Sequence, residues 1–143
     1  AISALQQRCS HPTIILCLSD LSPRGAFFSS DLATKIARVK PSKGSEYIKL
    51  KCLGLKPEQV LDLKLPLVNA NINSKEDHNR FKRYLKPYPI DPRKMTELDC
   101  LEVYYPEGIA GFLDECLVKY LSGFDPDSES WMLDSKKGSI LNV

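Results

Sequence analysis

The chain has 143 residues, enough for one ordinary domain with a single hydrophobic core. Its hydrophobic content of 43% and charged content of 27% are those of a globular protein, and no apolar run reaches the ~20 residues that a transmembrane helix needs. The five cysteines form no CxxC pair, which argues against a disulfide framework and against a zinc module, and favours a reducing compartment.

The formal net charge of +2 conceals a strong asymmetry along the chain. Residues 1–94 contain 17 Lys or Arg against 8 Asp or Glu, whereas residues 95–143 contain 3 against 10. Such polarity favours head-to-tail self-association, or binding of one face to an anionic surface, unless folding intermixes the two halves.

The first half of the sequence predicts a strand, a helix and one ambiguous segment. Residues 13–18 (TIILCL) are β-branched and apolar, as in a buried strand. A helix follows residues 27–31, with Leu32, Ile36 and Val39 on one face. Residues 47–55 (YIKLKCLGL) fit both a strand and a helical face, and we favour the helix.

The middle of the sequence predicts an exposed apolar segment and a short capped helix. In residues 60–68 (VLDLKLPLV), Pro66 cannot donate to a β-ladder, which confines the segment to a sheet edge or a loop. Ser74 followed by Asp77 resembles the capping pair of a short helix that ends before Pro87. Residues 87–92 (PYPIDP) predict a stiff, extended connection.

The last third predicts a strand, the clearest helix and a tail. Residues 98–105 (LDCLEVYY) suggest a half-buried antiparallel strand. From Ile109 to Leu121, apolar residues recur at i, i+3 and i+4, and Gly123 occupies the position of a C-cap. Residues 131–133 (WML) predict one more strand, and residues 135–143 a mobile tail.

These elements predict the α+β class, with a small antiparallel sheet packed against two or three helices. The predicted organisation is an N-terminal extension over residues 1–11, one α+β domain over residues 12–134 and a mobile C-terminal tail over residues 135–143.

No pattern in the sequence points to catalysis, to a metal or to a cofactor. His11 and His78 belong to no HxH or HExxH motif, and no phosphate-binding loop, GxGxxG or GxSxG occurs. Asp114 and Glu115 are adjacent on a predicted helix and point about 100° apart, which does not suit an acid and base pair. We therefore predict a protein that binds and assembles, without catalytic residues, metal or cofactor.

Two basic stretches could contact an anionic partner. The first contains Lys40, Lys43, Lys49, Lys51 and Lys56. The second contains Arg80, Lys82, Arg83, Lys86, Arg93 and Lys94, interleaved with Phe81, Tyr84 and Tyr88 as in a nucleic-acid groove. It lacks an RNP-type or helix-turn-helix signature, so sequence-specific recognition is weakly supported. Several basic residues together suffice for peripheral attachment to acidic lipid, at about 1 kcal/mol each.

The order of motifs resembles that of rhabdovirus matrix proteins over residues 12–135. The motifs are IILCLSD, the turn SPRG, FFSSDLA, YIKLKCLG after a basic linker, VLDLKLPLV, NRFKRYL, TELDCLEVYYPEG and SWMLDS. The family's basic N-terminal tail and proline-rich late-domain motif do not occur here. This departure leaves a shortened chain or a divergent, plant-infecting relative as the alternatives.

The resemblance implies a small α+β structural protein that self-associates and links the viral nucleocapsid to the inner face of the envelope. By position, the first basic stretch would be the surface that binds membrane or nucleocapsid. The exposed apolar segment for self-association would consist of Leu63, Leu65, Leu67 and Val68.

The implied partners are further copies of the chain, the nucleocapsid, anionic membrane and non-specific RNA. The implied locations are the virion, the host cytoplasm and the inner face of host membranes. The alternatives are an α+β adaptor that binds a protein partner and a non-specific RNA-binding domain.

Overall fold

The protein belongs to the α+β class, as the sequence predicts. The structure is a computed structural model that describes residues 13–38, 48–122 and 140–142. Its strands are β1 (Thr13–Leu18), β2 (Ile48–Gly54), β3 (Val68–Asn69), β4 (Lys94–Met95) and β5 (Ile140–Asn142). Its α-helices are α1 (Phe28–Arg38), α2 (Pro57–Asp62), α3 (Lys75–Leu85), α4 (Leu101–Tyr104) and α5 (Gly108–Ser122).

The strands form one three-stranded sheet and one two-stranded ribbon within the described residues. The sheet has the order β1-β2-β5, and β2 pairs with β5 in parallel, with Leu50 opposite Ile140. The ribbon pairs β3 with β4 antiparallel, with Val68 opposite Met95. The predicted antiparallel pairing is therefore found in the ribbon, whereas the larger sheet contains a parallel pair. Residues 140–142, within the predicted tail, form β5, and the tail over residues 135–143 stays a prediction.

The described residues divide into two compact units. The sheet unit contains residues 13–17, 29–38, 48–53, 119–122 and 140–142, and the helical unit contains residues 18–28 and 54–118. The prediction of one domain over residues 12–134 stays a prediction. The predicted strand at 131–133 and the predicted cap Gly123 lie outside the described residues.

The core of the sheet unit joins α1 to the first two strands. A buried cluster contains Cys17, Ala33, Ile36, Ile48 and Leu50, with Ile15 and Leu32 packed against it. Burial raises the pKa of the Cys17 thiol, as expected for a thiolate removed from water. The predicted helix face with Leu32 and Ile36 is confirmed, and Val39 lies outside the described residues.

β2 overturns the preference for a helix over residues 47–55. Residues 48–54 form a strand in which only Cys52 is not fully buried. Both faces of this strand are therefore covered, which is typical of a central strand and hides the alternation that an exposed face would produce. The partner strand β5 is about 90 residues away in the sequence, so a local pattern could not reveal it.

In the helical unit, α2 includes residues 60–62, which the sequence analysis assigned to a sheet edge or loop. Pro57 occupies its first turn, where a missing N–H costs nothing, and the Gln59 side chain accepts a 2.7 Å hydrogen bond from the Lys56 backbone N–H. Pro57 and Gln59 are the residues in the sequence that could have predicted the start of this helix. Because α2 begins at Pro57, only residues 63–68 of the predicted apolar segment follow the helix.

A backbone bridge joins distant parts of the helical unit. Leu21 and Thr96 exchange two backbone hydrogen bonds of 3.0 Å, and both residues are fully buried. The Thr96 hydroxyl donates to the Pro66 carbonyl at 3.1 Å, and the Leu98 backbone N–H donates to Asp20 Oδ1 at 2.8 Å. The buried polar groups of this bridge are thereby satisfied.

The predicted strand at residues 98–105 is wrong, because residues 98–104 are helical. Leu98–Cys100 form a 3₁₀ turn that leads into α4. In α4 only Leu101 is buried, while Val103 is 81% exposed and Tyr104 is 50% exposed. The apolar residues at 101, 103 and 105 imitate strand alternation, but the chain buries one of them along a helix instead.

The predicted long helix is confirmed as α5. It buries Phe112 and Cys116 at i and i+4, and the Phe112 ring meets the Tyr105 ring edge to face at 5.4 Å between centroids. Gly111 lies so close to the preceding turn that a Cβ atom would stand 2.0 Å from the Pro106 carbonyl oxygen. A glycine is therefore required there for the turn and the helix to meet.

Candidate functional site

Helix α3 presents the most basic exposed surface among the described residues. A capping residue fixes where the helix begins, and two core residues fix which side of it faces solvent. Ser74 Oγ accepts a 3.2 Å hydrogen bond from the Asp77 backbone N–H, which confirms the predicted capping pair. Phe81 and Leu85 are buried, with 0% and 2% exposure. Because they anchor one side of the helix in the core, the opposite side faces solvent.

The side turned to solvent carries four cations, which we call the basic face: Lys75, Lys82, Arg83 and Lys86. Positions 75, 82 and 86 are seven and four residues apart and therefore lie on one side of the helix, and position 83 lies beside them. All four side chains are exposed, and none takes part in a hydrogen bond or ion pair with the parts of the chain that the structure describes. Their charge is available to an external partner.

The neighbouring basic residues are engaged within the protein. Arg80 stacks on the Phe27 ring, with 3.9 Å from its guanidinium carbon to the ring centroid. Arg24 forms an ion pair with Asp77 at 3.4 Å. The remaining two are Arg93, which binds Asp91 at 2.8 Å, and Lys94, whose ammonium donates to Asn69 at 2.7 Å. Of the second basic stretch, Lys82, Arg83 and Lys86 are therefore the cations left for binding.

A groove of about 430 Å³ runs along the C-terminal end of α3, and we call it the α3 groove. Three members of the basic face line it together with apolar side chains: Lys82, Arg83, Leu85, Lys86, Tyr88, Ile90 and Pro92. A second depression of about 660 Å³ lies along the N-terminal part of the same face, beside Lys75, Asn79 and Lys82. The two depressions share Lys82 and Arg83.

Two side-chain contacts lie at the end of the α3 groove, and each of them shifts a pKa. The Tyr88 hydroxyl donates a short hydrogen bond to Glu58, and this bond raises the pKa of Tyr88 because it stabilises the protonated phenol. Hydrogen bonds from the Arg93 side chain and then from its backbone N–H lower the pKa of Asp91 from 3.8 to about 2. The Asp91 carboxylate therefore stays ionised further into the acid range than an ordinary aspartate does.

The first basic stretch does not form the expected surface. Lys49 and Lys51 are buried, with 3% and 8% exposure, and Lys56 is half-buried. The physical reason is that β2 is covered on both faces, and Lys51 places its ammonium 4.6 Å from the centre of the Tyr120 ring. Lys40 and Lys43 lie outside the described residues.

The predicted self-association segment is divided by burial. Leu65 is a core residue with 5% exposure, so the expectation that it is exposed is wrong, and Leu63 is half-buried. Leu67 and Val68 are exposed, at 38% and 44%. The sequence analysis missed other exposed apolar side chains, of which Val103 and Val118 are the most exposed, at 81% and 69%.

Groups that catalysis or metal binding would need are sparse in the part of the chain that the structure describes. No group of three His, Cys, Asp or Glu side chains there could hold a metal ion. Nδ1 of His78 is buried without a hydrogen-bond partner, and no acid or nucleophile is paired with it. Among the same residues, no helix has the length and apolarity to cross a membrane.

Comparisons with protein families, with characterised proteins and with solved structures find no match for this chain. The features of the chain that bear on its function are therefore the basic face, the α3 groove and the order of sequence motifs.

Proposed function

We propose that this chain is a viral structural protein of the rhabdovirus matrix type, which self-associates and links the nucleocapsid to the inner face of the envelope. The observation that carries the proposal is the basic face of α3, with four exposed cations that no acidic side chain of the described residues neutralises. We assign the anionic contact to this face and no longer to Lys49 and Lys51, because both of these are buried.

The charge of the basic face suits a reversible contact with an anionic surface. Each Lys or Arg near an acidic membrane contributes about 1 kcal/mol, so four give about 4 kcal/mol, which is enough for peripheral attachment. The same cations would release counterions from a nucleic acid, and binding would then weaken steeply as salt rises. Glu76 and Asn79 interrupt the face, which keeps the contact weak and reversible.

The test compares two charge-reversed variants in binding to anionic vesicles and to RNA. Lys82→Glu with Arg83→Glu reverses two cations in the last turn of α3, and Lys35→Glu with Arg38→Glu does the same in the last turn of α1. Both helices have 11 residues and all four side chains are exposed, so the pairs are matched in charge and position. Cosedimentation is measured with phosphatidylcholine vesicles that contain phosphatidylserine, and with single-stranded polyuridine.

We expect the α3 pair to weaken binding by at least about 30-fold, since two lost attractions of about 1 kcal/mol each are joined by new repulsions. The α1 pair should bind as the parent does, and circular dichroism should show that both variants are folded. Equal binding by parent and α3 variant contradicts the proposal. Binding to polyuridine without binding to vesicles favours the alternative of a non-specific RNA-binding domain.

A further inference from the structure

The α3 groove differs from a simple polyanion site because much of its lining is apolar. Leu85, Tyr88, Ile90 and Pro92 line it alongside the cations. An anionic group alone would contact only the cations, whereas a polypeptide segment can also contact the apolar side chains of the lining. The groove therefore favours a partner that offers apolar side chains flanked by carboxylates.

The helical unit itself presents such a surface around α4. We call it the acidic surface: Glu97, Asp99, Glu102, Val103, Tyr104 and Glu107. All six side chains are exposed, and its four carboxylates make no ion pair within the described residues. Residues 95–118 contain six Asp or Glu and no Lys, Arg or His, so no cation along this stretch offsets their charge.

Val103 and Tyr104 are the apolar part of this surface. Val103 is 81% exposed and Tyr104 is 50% exposed, next to Glu102 on the same short helix. Exposed aromatic side chains flanked by charges are typical anchors of protein interfaces, because they fill a partner's pocket while the charges surround it. The α3 groove provides a pocket of the opposite charge.

We infer that the α3 groove of one copy binds the acidic surface of a second copy, with Val103 and Tyr104 in the groove and the carboxylates facing Lys82, Arg83 and Lys86. This inference rests on the proposed function and names the contact by which the protein self-associates. The cations of the groove and all six residues of the acidic surface are exposed in the single chain, which leaves them open to another copy. Because the two surfaces differ, the contact is heterologous, and repeated use of it builds a ring or an open filament.

The test is a charge exchange followed by sedimentation velocity of the full chain from micromolar to millimolar concentration. One variant carries Lys82→Glu with Arg83→Glu in the groove, and the other carries Glu97→Lys with Glu102→Lys in the acidic surface. Each alone brings like charges together, which should raise the concentration needed for self-association by at least about 100-fold. An equimolar mixture should associate again, because each altered surface then meets an opposite charge.

A second pair of variants tests the apolar anchor with every charge retained. Tyr104→Ser should raise the concentration needed for self-association by about tenfold or more. Val118→Ser removes a side chain of similar exposure from α5, away from both surfaces in the sequence, and should leave association unchanged. Circular dichroism and thermal unfolding of all variants verify that they are folded.

A mixture of the charge-reversed variants that stays monomeric overturns the inference, as does an acidic-surface variant that associates like the parent. The proposed function is judged separately, since Tyr104→Ser changes no charge, leaves the basic face intact and should still bind anionic vesicles as the parent does. Loss of vesicle binding by the α3 pair with unaltered self-association would support the proposed function and refute this contact.

Discussion

Lys51 shows how a charged side chain is accommodated inside the sheet unit. Its aliphatic stem is buried in β2 and its ammonium lies 4.6 Å from the centre of the Tyr120 ring. Burial raises the pKa of Tyr120, and the face of its ring attracts the cation. The aliphatic stem of Lys51 therefore contributes packing, and its ammonium contributes charge.

We predict that Lys51→Glu destabilises the protein by about 3 kcal/mol or more, because a carboxylate would be buried against the face of an aromatic ring. Lys51→Met keeps the stem and should cost less than about 1.5 kcal/mol. Urea unfolding followed by circular dichroism measures both. If Lys51→Glu unfolds at the urea concentration of the parent, the side chain is exposed in solution and the assignment of β2 as covered on both faces is wrong.

The pair of Asp91 and Arg93 gives a dependence on pH at the edge of the α3 groove. The folded pKa of Asp91, about 2, lies below its ordinary value of 3.8, so the pair stabilises the fold above pH 3.8. That contribution is lost as the pH falls from 3.8 to about 2. Both side chains are exposed, and solvent keeps the contribution small.

We predict that Arg93→Gln moves the pKa of Asp91 back toward 3.8, but only part of the way, since the Arg93 backbone N–H still donates to the carboxylate. A carboxyl titration by NMR measures this pKa. Lys94→Gln is the control, because Lys94 contributes least to the lowered pKa of Asp91 and its removal should change that pKa little. An unchanged titration in Arg93→Gln contradicts the ion pair.

At the scale of elements, α3 connects a capping residue to the binding surface. Ser74→Ala removes the hydroxyl that accepts from the Asp77 N–H and should lower the free energy of unfolding by about 1 kcal/mol. Ser74→Asp retains an acceptor and adds a negative charge at the helix N-terminus, so it should match or exceed the parent. Thermal unfolding of the three proteins decides the order. Equal stability of the alanine and aspartate variants would show that the cap is not formed.

Elements with a strong local signal could be predicted from the sequence. The stripe of α5 contains its buried residues Phe112 and Cys116, and the pair of Ser74 and Asp77 marks the start of α3. Elements that depend on distant partners could not be predicted. β2 fits a strand and a helix equally in local pattern, and its pairing with β5 decides the outcome.

At the scale of the whole molecule, the distribution of charge along the sequence predicts a basic and an acidic surface. It does not predict which basic residues are exposed. The excess of basic residues before position 95 and of acidic residues after it does correspond to exposed cations on α3 and exposed carboxylates around α4. Only the burial of the side chains shows which of the two basic stretches can reach an external partner. Alternating lysines in IKLK suggest an exposed face, and only the structure shows the Tyr120 ring beside Lys51.

The parallel pairing of β2 with β5 also has a kinetic consequence. Leu50 and Ile140 are about 90 residues apart, and closing so long a loop costs conformational entropy before the pairing can offset it. The helical unit consists mainly of one continuous stretch, residues 54–118, and its bridge between Leu21 and Thr96 also forms without residues 140–142. During synthesis, residues 54–118 are complete before residues 140–142 are made, so the helical unit can fold while β2 still lacks this neighbour. The open edge of β2 would then be the place where an incompletely synthesised chain is most prone to pair with the wrong strand.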